Sequence, residues 1–257
     1  MVTVLIQAST VRHPLRFVGR ELSASGRLAR YRLRQSGRPV WIRHNTADPL
    51  VLQEVFHSGH YELPDRVARF LDGLTRPPRL LDLGANIGLF GVWALDRFPG
   101  AEIIAFEPDP ANAEVARLCI DANGAGDRWQ LIEAAATAAD GRATFLSGEF
   151  SRSRLEPDAG GLEVDAVDVF PYFGGVDLAK IDIEGGEWAI LADPRLREVD
   201  VPVVVLEYHA DQAPGPDPRS AALEAVREAG YEAEVGQEFA PGQGVLWGWR
   251  TVVSARS

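Results

Sequence analysis

Two hydrophobic rhythms divide the chain. In the first, apolar and polar residues alternate: Tyr31 and Leu33 with Arg30, Arg32 and Arg34, then, past Ser36-Gly37, Val40 and Ile42 with Trp41 and Arg43. A period of two on both sides of a turn signal predicts a hairpin with one packed face and one wet face. Leu63, Val67, Phe70, Leu71 and Leu74 follow at helical spacing, which predicts a helix over 62–74 with Pro64 in its first turn. Pro77-Pro78 cannot continue a helix, so 75–79 reads as a junction.

Beyond the junction the rhythm changes to short apolar runs separated by helical patterns. Leu80–Leu83 is a strand ending at Gly84, 87–97 reads as a helix, and Ile103–Phe106 is the next strand. Asp109-Pro110 is a cap-and-first-turn pair for a helix that buries Val115, Leu118, Cys119 and Ala122 and stops near Asn123-Gly124. Further strands fit 129–133, 142–146, 176–183 and 201–208, with a helix at 218–229 and a last strand at 245–253. Continuous apolar strands between helices predict a sheet covered on both faces. The expected fold is therefore a doubly wound, mostly parallel Rossmann-like α/β domain over 76–257. A small β-hairpin and helix region over 1–75 precedes it. The Pro- and Gly-rich stretch 211–218 reads as a loop able to act as a lid.

Composition narrows the function. The 257 residues are 46% apolar, enough for a large core, and no apolar run reaches the ~20 residues that cross a bilayer. The N-terminus has no basic, apolar leader pattern, and a single cysteine, Cys119, excludes an internal disulfide; the chain reads as a soluble, cytoplasmic protein. A net charge of −11 disfavours nucleic acid as a partner. Residues 1–60 nevertheless carry nine arginines against three acids. Arg30, Arg32, Arg34, Arg38 and Arg43 read as the wet face of the hairpin, with a patch for an anionic substrate as the alternative.

The chemistry concentrates at strand ends, where open parallel sheets bind ligands. The first strand runs through Asp82-Leu83-Gly84-Ala85-Asn86-Ile87-Gly88 into a helix whose free N–H groups suit an anion. Glu107 ends the second strand, 19 residues past Gly88, where an acid accepts hydrogen bonds from a ribose diol. A dinucleotide site wants G-x-G-x-x-G, yet Asn86 and Leu89 stand where its later glycines fall. A two-glycine loop suits a small zwitterion better than a pyrophosphate, so S-adenosylmethionine is the expected cofactor. An NAD-linked oxidoreductase on the same fold and a non-catalytic S-adenosylmethionine binder are the alternatives.

The segments LLDLGANIGLFG (80–91), AFEPDP (105–110) and KIDIEGGEWAIL (180–191), with the approach at 41–62, resemble the FkbM-type S-adenosylmethionine-dependent methyltransferases. The resemblance implies that Asp82, Gly84, Asn86 and Gly88 form the cofactor loop and Glu107 the ribose acid. It further implies that Glu133, Ala134 and Ala135 flank the adenine, and that a hydroxyl on a natural product, sugar or glycan receives the methyl.

A hydroxyl is a poor nucleophile, so a base is expected beside the methyl. Lys180 and Asp182 share one face of the fourth core strand; Glu184 and Glu187 follow it, and the fifth strand brings Glu207 and His209. Asp182 is the leading base and His209 its rival; a structural Lys180–Asp182 pair bracing the strand end is the alternative. A divalent ion on Asp182, Glu184 and His209 stays open but unfavoured. Tyr61, beside Glu62, either folds over the methionine end of the cofactor or simply packs. His13, His44, His57 and His60 make no ligand spacing, although His57 and His60 could border the pocket. The fourth strand ends in Asp182-Ile183-Glu184-Gly185 rather than N/D-P-P-Y, so methylation of base or amide nitrogen is not expected. The expected partner is a small hydroxyl-bearing molecule, with neither nucleic acid nor membrane; a homodimer stays open.

Overall fold

The structure is a computed structural model that describes residues 2–23, 27–146, 154–155, 161–184 and 186–250. It opens with two helices that the alternation did not announce, α1 (Val2–Ser9) and α2 (Pro14–Glu21). They precede the expected hairpin, β1 (Leu28–Arg32) against β2 (Pro39–Arg43), in which Tyr31 faces Val40 and Ala29 faces Ile42. These four side chains are buried, and Arg30, Arg32 and Arg34 stay in water. Arg38 and Arg43 depart from the wet-face reading: Arg38 donates to Asn123 and the Leu95 carbonyl, and Arg43 is bound to Asp48.

A helix missed in the sequence follows, α3 (Asp48–Phe56), then α4 (Asp65–Asp72). The second is shorter than 62–74 because Pro64, with ψ 146°, stands outside it as the cap. The core domain then runs β3 (Arg79–Leu83), α5 (Leu89–Arg97), β4 (Glu102–Phe106), α6 (Pro110–Ala122) and β5 (Trp129–Ile132). Four short strands come next: β6 (Ala135–Thr137), β7 (Gly141–Leu146), β8 (Arg154–Leu155) and β9 (Leu162–Asp168). The chain returns through β10 (Leu178–Ile181), α7 (Glu187–Ala192), β11 (Val203–Tyr208), α8 (Pro218–Glu228), β12 (Glu232–Ala240) and β13 (Gln243–Trp249).

Seven strands form the central sheet in the order β12-β13-β11-β10-β3-β4-β5. The five from β11 to β5 are parallel, and β13 runs antiparallel to both neighbours. Both faces are buried, as double winding requires. Leu80, Leu178 and Val203 pack beneath the N-terminal helices and α5, whereas Leu81, Ala179 and Val204 pack on the side of α7 and α8. The hydrophobic cluster on the first face runs without a break from Phe17 and Tyr31 to Ile103 and Cys119.

Three expectations need correction. The strand at 142–146 lies outside the central sheet, in a separate sheet of order β6-β9-β7-β8, because only one face of it is apolar enough to bury. The strand β12 was missed because Glu232, Glu234, Gln237 and Glu238 interrupt any apolar run on this outer edge. The last strand is Gln243–Trp249 rather than 245–253, and Val252 and Val253 lie outside the described residues.

One glycine fixes how closely a helix lies on the sheet. A Cβ on Gly91 would stand 2.0 Å from the Trp129 ring, so α5 rests directly on that indole. Gly91→Ala is expected to cost about 1–3 kcal/mol and to lower Tm by several degrees in a thermal melt.

Candidate active site

Strand order reverses between β3 and β10, and Asp82, the Gly84–Gly88 loop, Lys180 and Asp182 stand at or beside the carboxyl ends there. Past β3 the backbone takes three left-handed residues, Gly84 (φ 87°), Asn86 (φ 51°) and Gly88 (φ 81°). Gly84 has no alternative, since a Cβ would sit 1.7 Å from the Asp182 carbonyl oxygen. Asn86 tolerates the conformation by accepting the Ile87 N–H on its own Oδ1 at 2.8 Å. Gly88 caps α5.

Glu107 projects from the end of β4 into this loop and is 4% exposed. Its Oε2 accepts the Asn86 N–H at 2.7 Å, and its Oε1 accepts the Asp109 N–H at 3.0 Å and the Asn112 amide at 3.3 Å. Burial pushes its carboxyl up to about 7, against these hydrogen bonds, which lower it. Oε2, with one donor, keeps lone-pair capacity for another, whereas Oε1 already receives two. Of the expected adenine flank, Ala134 and Ala135 are buried, while Glu133 is exposed and ion-paired with Arg117.

Across the switch, register sets the second constellation. Lys180 lies opposite Asp82 on β3 and Val205 on β11. Its Nζ donates to Asp82 Oδ1 at 3.1 Å and the Gly84 carbonyl at 2.8 Å, and stands 3.1 Å from Asp182 Oδ2. Burial lowers its basicity, but Asp182 and Asp82 outweigh it and hold the ammonium protonated. Asp82 is fully buried, and burial raises its carboxyl against the pull of Lys180. Its Oδ2 has no hydrogen-bond partner among the described residues.

Asp182, Glu207 and His209 offer ligand atoms within 4.8 Å of one another. His209 is held from behind by the fully buried Glu187, whose Oε1 meets both its N–H and its Nδ1 at 3.1 Å. On the other side its Nε2 lies 3.5 Å from Glu184 and from Glu207. Burial disfavours the imidazolium, yet these carboxylates prevail and push it up to about 12, so His209 is a cation at neutral pH. Glu184 is pushed up to about 8 by burial, partly offset by His209. Gly185 lies outside the described residues.

Side chains of the N-terminal region, Glu54, His60 and Tyr61, lie close enough to feel the charge of Asp182. Tyr61 is buried against Phe90 and Trp93, and its phenol is pushed well up by burial and then by Asp182 and Glu207. His60 stacks on Phe239 at 4.6 Å, and burial lowers its basicity. His57 is exposed. His44 belongs to the N-terminal core, bonded to Tyr31 and Glu21 at 2.7 Å. Residues 211–218 reach the site's edge, where the Asp211 carbonyl accepts the Trp188 indole N–H at 3.1 Å. Sequence reading missed Glu54 on α3, which is pushed up to about 8 by burial and then by Glu207 and Asp182. The Asp48-Pro49 pair, a helix-start signal of the kind used at Asp109-Pro110, was the clue to that helix.

A doubly wound sheet with a sparse-glycine loop at its switch point and a buried acid on the neighbouring strand defines a Rossmann-like domain of the methyltransferase class. Residues 82–233 match the methyltransferase FkbM domain, and the chain belongs to that family of S-adenosylmethionine-dependent methyltransferases. No curated protein matches the chain. Among solved structures, EvdMO1 is 20% identical with a TM-score of 0.42, over 72% of this chain and 40% of that one. The N-terminal domain of EvdMO1, crystallised in the presence of SAH and D-fucose, is 19% identical over 72% of this chain and 82% of that one, with a TM-score of 0.44. The precorrin-6y C5,15-methyltransferase of Geobacter metallireducens is 17% identical over 72% of this chain and 87% of that one, also with a TM-score of 0.44. Among the described residues no helix is long and apolar enough to cross a membrane.

Proposed function

We propose that the chain methylates a hydroxyl of a small polyhydroxylated or glycosylated metabolite. The observation that carries this reading is the pairing, across one switch point, of a buried acid at the tip of β4 with a carboxylate cluster at the tips of β10 and β11. The residues present fit S-adenosylmethionine. Glu107 suits a ribose diol, and Gly84 and Gly88 let a ligand approach the bend without a Cβ in the way, although the N–H groups from Gly84 to Gly88 are all bonded within the protein. The partnerless Asp82 Oδ2 is the kind of buried acceptor that an ammonium satisfies. The cofactor supplies a methyl group on a sulfonium, already a good leaving group.

The chain's own work is alignment and proton removal. Asp182 is the base in this reading, because His209 is already protonated and clamped between Glu187, Glu184 and Glu207. Lys180 holds one Asp182 oxygen, leaving the other for the acceptor hydroxyl. Glu54, pushed up to about 8 by burial, serves as a neutral donor and acceptor for a neighbouring hydroxyl. Since Lys180 already faces Asp182 and His209 faces Glu207, turnover is expected to be unchanged by EDTA. Loss restored by Mg²⁺ would instead put an ion among Asp182, Glu207 and His209.

Cofactor preference tests the reading. S-adenosylhomocysteine is expected to raise Tm and NAD⁺ to leave it unchanged; the reverse supports an oxidoreductase. Affinity for 5′-methylthioadenosine, which keeps the ribose diol without the amino acid's own titrations, tests the acid itself. Ionised Glu107 accepts the diol, so affinity is expected to be flat above about pH 7 and to fall, by up to about tenfold per unit, below it. Calorimetry from pH 5.5 to 8.5 reads this profile.

A further inference from the structure

We propose that Arg43 and Asp48, far from the cofactor loop in sequence, are positioning residues for the ribose acid, acting through Asn112. The inference rests on Glu107 being that acid. Asp48, in the first turn of α3, is 2% exposed. It receives the Arg43 backbone N–H at 2.8 Å, its Nε at 3.0 Å and its Nη2 at 2.9 Å. This two-pronged grip fixes the guanidinium plane. The same Nη2 donates to Asn112 Oδ1 at 2.5 Å, and Asn112 Nδ2 donates to Glu107 Oε1 at 3.3 Å.

The chemistry of each link dictates the next. A guanidinium only donates, so the Asn112 carbonyl must face Arg43 and its amide nitrogen must face Glu107. Without Arg43 the amide is free to flip and present an oxygen to the carboxylate. The relay therefore fixes which face of Glu107 is already occupied and which lone pairs remain for a diol. It also places a cation near a buried acid, and Glu107 and Asp109 in turn raise the Arg43 basicity after burial and Asp48 have acted. Among the described residues, the charged groups that act on Glu107 in this network are Asp109 at the cap of α6 and Arg43 on β2, itself held by Asp48 on α3; the 84–88 loop contributes the Asn86 N–H. Neither Arg43 nor Asp48 falls within residues 82–233, the span of the family match. The N-terminal region is thereby part of the cofactor site rather than an appendage to it.

The full-length chain tests this through 5′-methylthioadenosine affinity, measured by calorimetry from pH 6 to 9. Asn112→Ala cuts the relay without touching the hairpin, and Arg43→Met removes its charge. Each is expected to weaken binding about tenfold at pH 7.5, as loss of a hydrogen bond to a charged group does. Each is also expected to move the pH midpoint of binding upward, because the ionised carboxylate loses a donor or a cation; a purely structural role leaves that midpoint in place. Should Arg43→Met fail to fold, Asn112→Ala decides alone. If Glu107→Ala loses binding while Asn112→Ala matches wild type in affinity and midpoint, the relay is wrong and the ribose acid stands. If wild type and Glu107→Ala bind alike, the ribose-acid reading itself fails.

Discussion

Replacing Glu107 by alanine is expected to weaken S-adenosylmethionine binding at least a hundredfold. Two ribose hydroxyls donating to a buried carboxylate form two charge-assisted hydrogen bonds, each worth about 1.5–3 kcal/mol. Losing both removes about 3 kcal/mol or more, which is at least two decades of affinity. The substitution also strips the Asn86 and Asp109 N–H groups of their acceptor, so the loop loses a brace as well as the ligand. Glu107→Gln separates these effects: it keeps one carbonyl oxygen and the shape, and should bind between wild type and alanine. Calorimetry with the folded variants measures the series, and affinity unchanged in Glu107→Ala would remove the cofactor assignment.

Asp182→Asn is expected to lower methyl transfer by about 10²–10⁴-fold, the usual contribution of a general base, while cofactor affinity stays within a few-fold. The variant is nearly isosteric, and Lys180 dictates its orientation. An ammonium 3.1 Å away only donates, so the new amide turns its oxygen toward Lys180 and its NH₂ toward the acceptor. A proton acceptor becomes a donor at the point where the hydroxyl must be relieved of its proton. Single-turnover transfer to the best acceptor from a panel of glycosides measures the effect. Retained turnover would remove Asp182 as the base.

What was legible in the sequence was whatever local chemistry specifies. Leu80–Leu83 is apolar except for Asp82, and Ile103–Phe106 is apolar on both faces, so the parallel core strands announced themselves, and Gly84, Gly88 and Glu107 followed at their ends. Lys180 and Asp182 stood out as charges within an apolar strand, and they indeed pair. Polar or one-faced elements were harder. The strand β7 looked like another core strand, although its pattern serves only a small side sheet, and β12 hid behind its glutamates. Helix α3 carries Glu54 into the carboxylate cluster, but its short apolar stretch did not separate from the preceding hairpin. The least legible feature was long-range: Arg43 reaches Asn112 across 69 positions, and no period in the chain encodes that contact. The rival base was equally hidden, since His209 is made a cation by Glu187, 22 residues away.

A crystal structure of the full-length chain with S-adenosylhomocysteine tests the central claim most directly. The expected result is an adenosine in the crevice beyond β3 and β4, with both ribose hydroxyls within hydrogen-bond distance of the Glu107 carboxylate and the amino acid end over Gly84–Gly88. An adenosine bound elsewhere, with Glu107 still turned only to Asn86, Asp109 and Asn112, would contradict it.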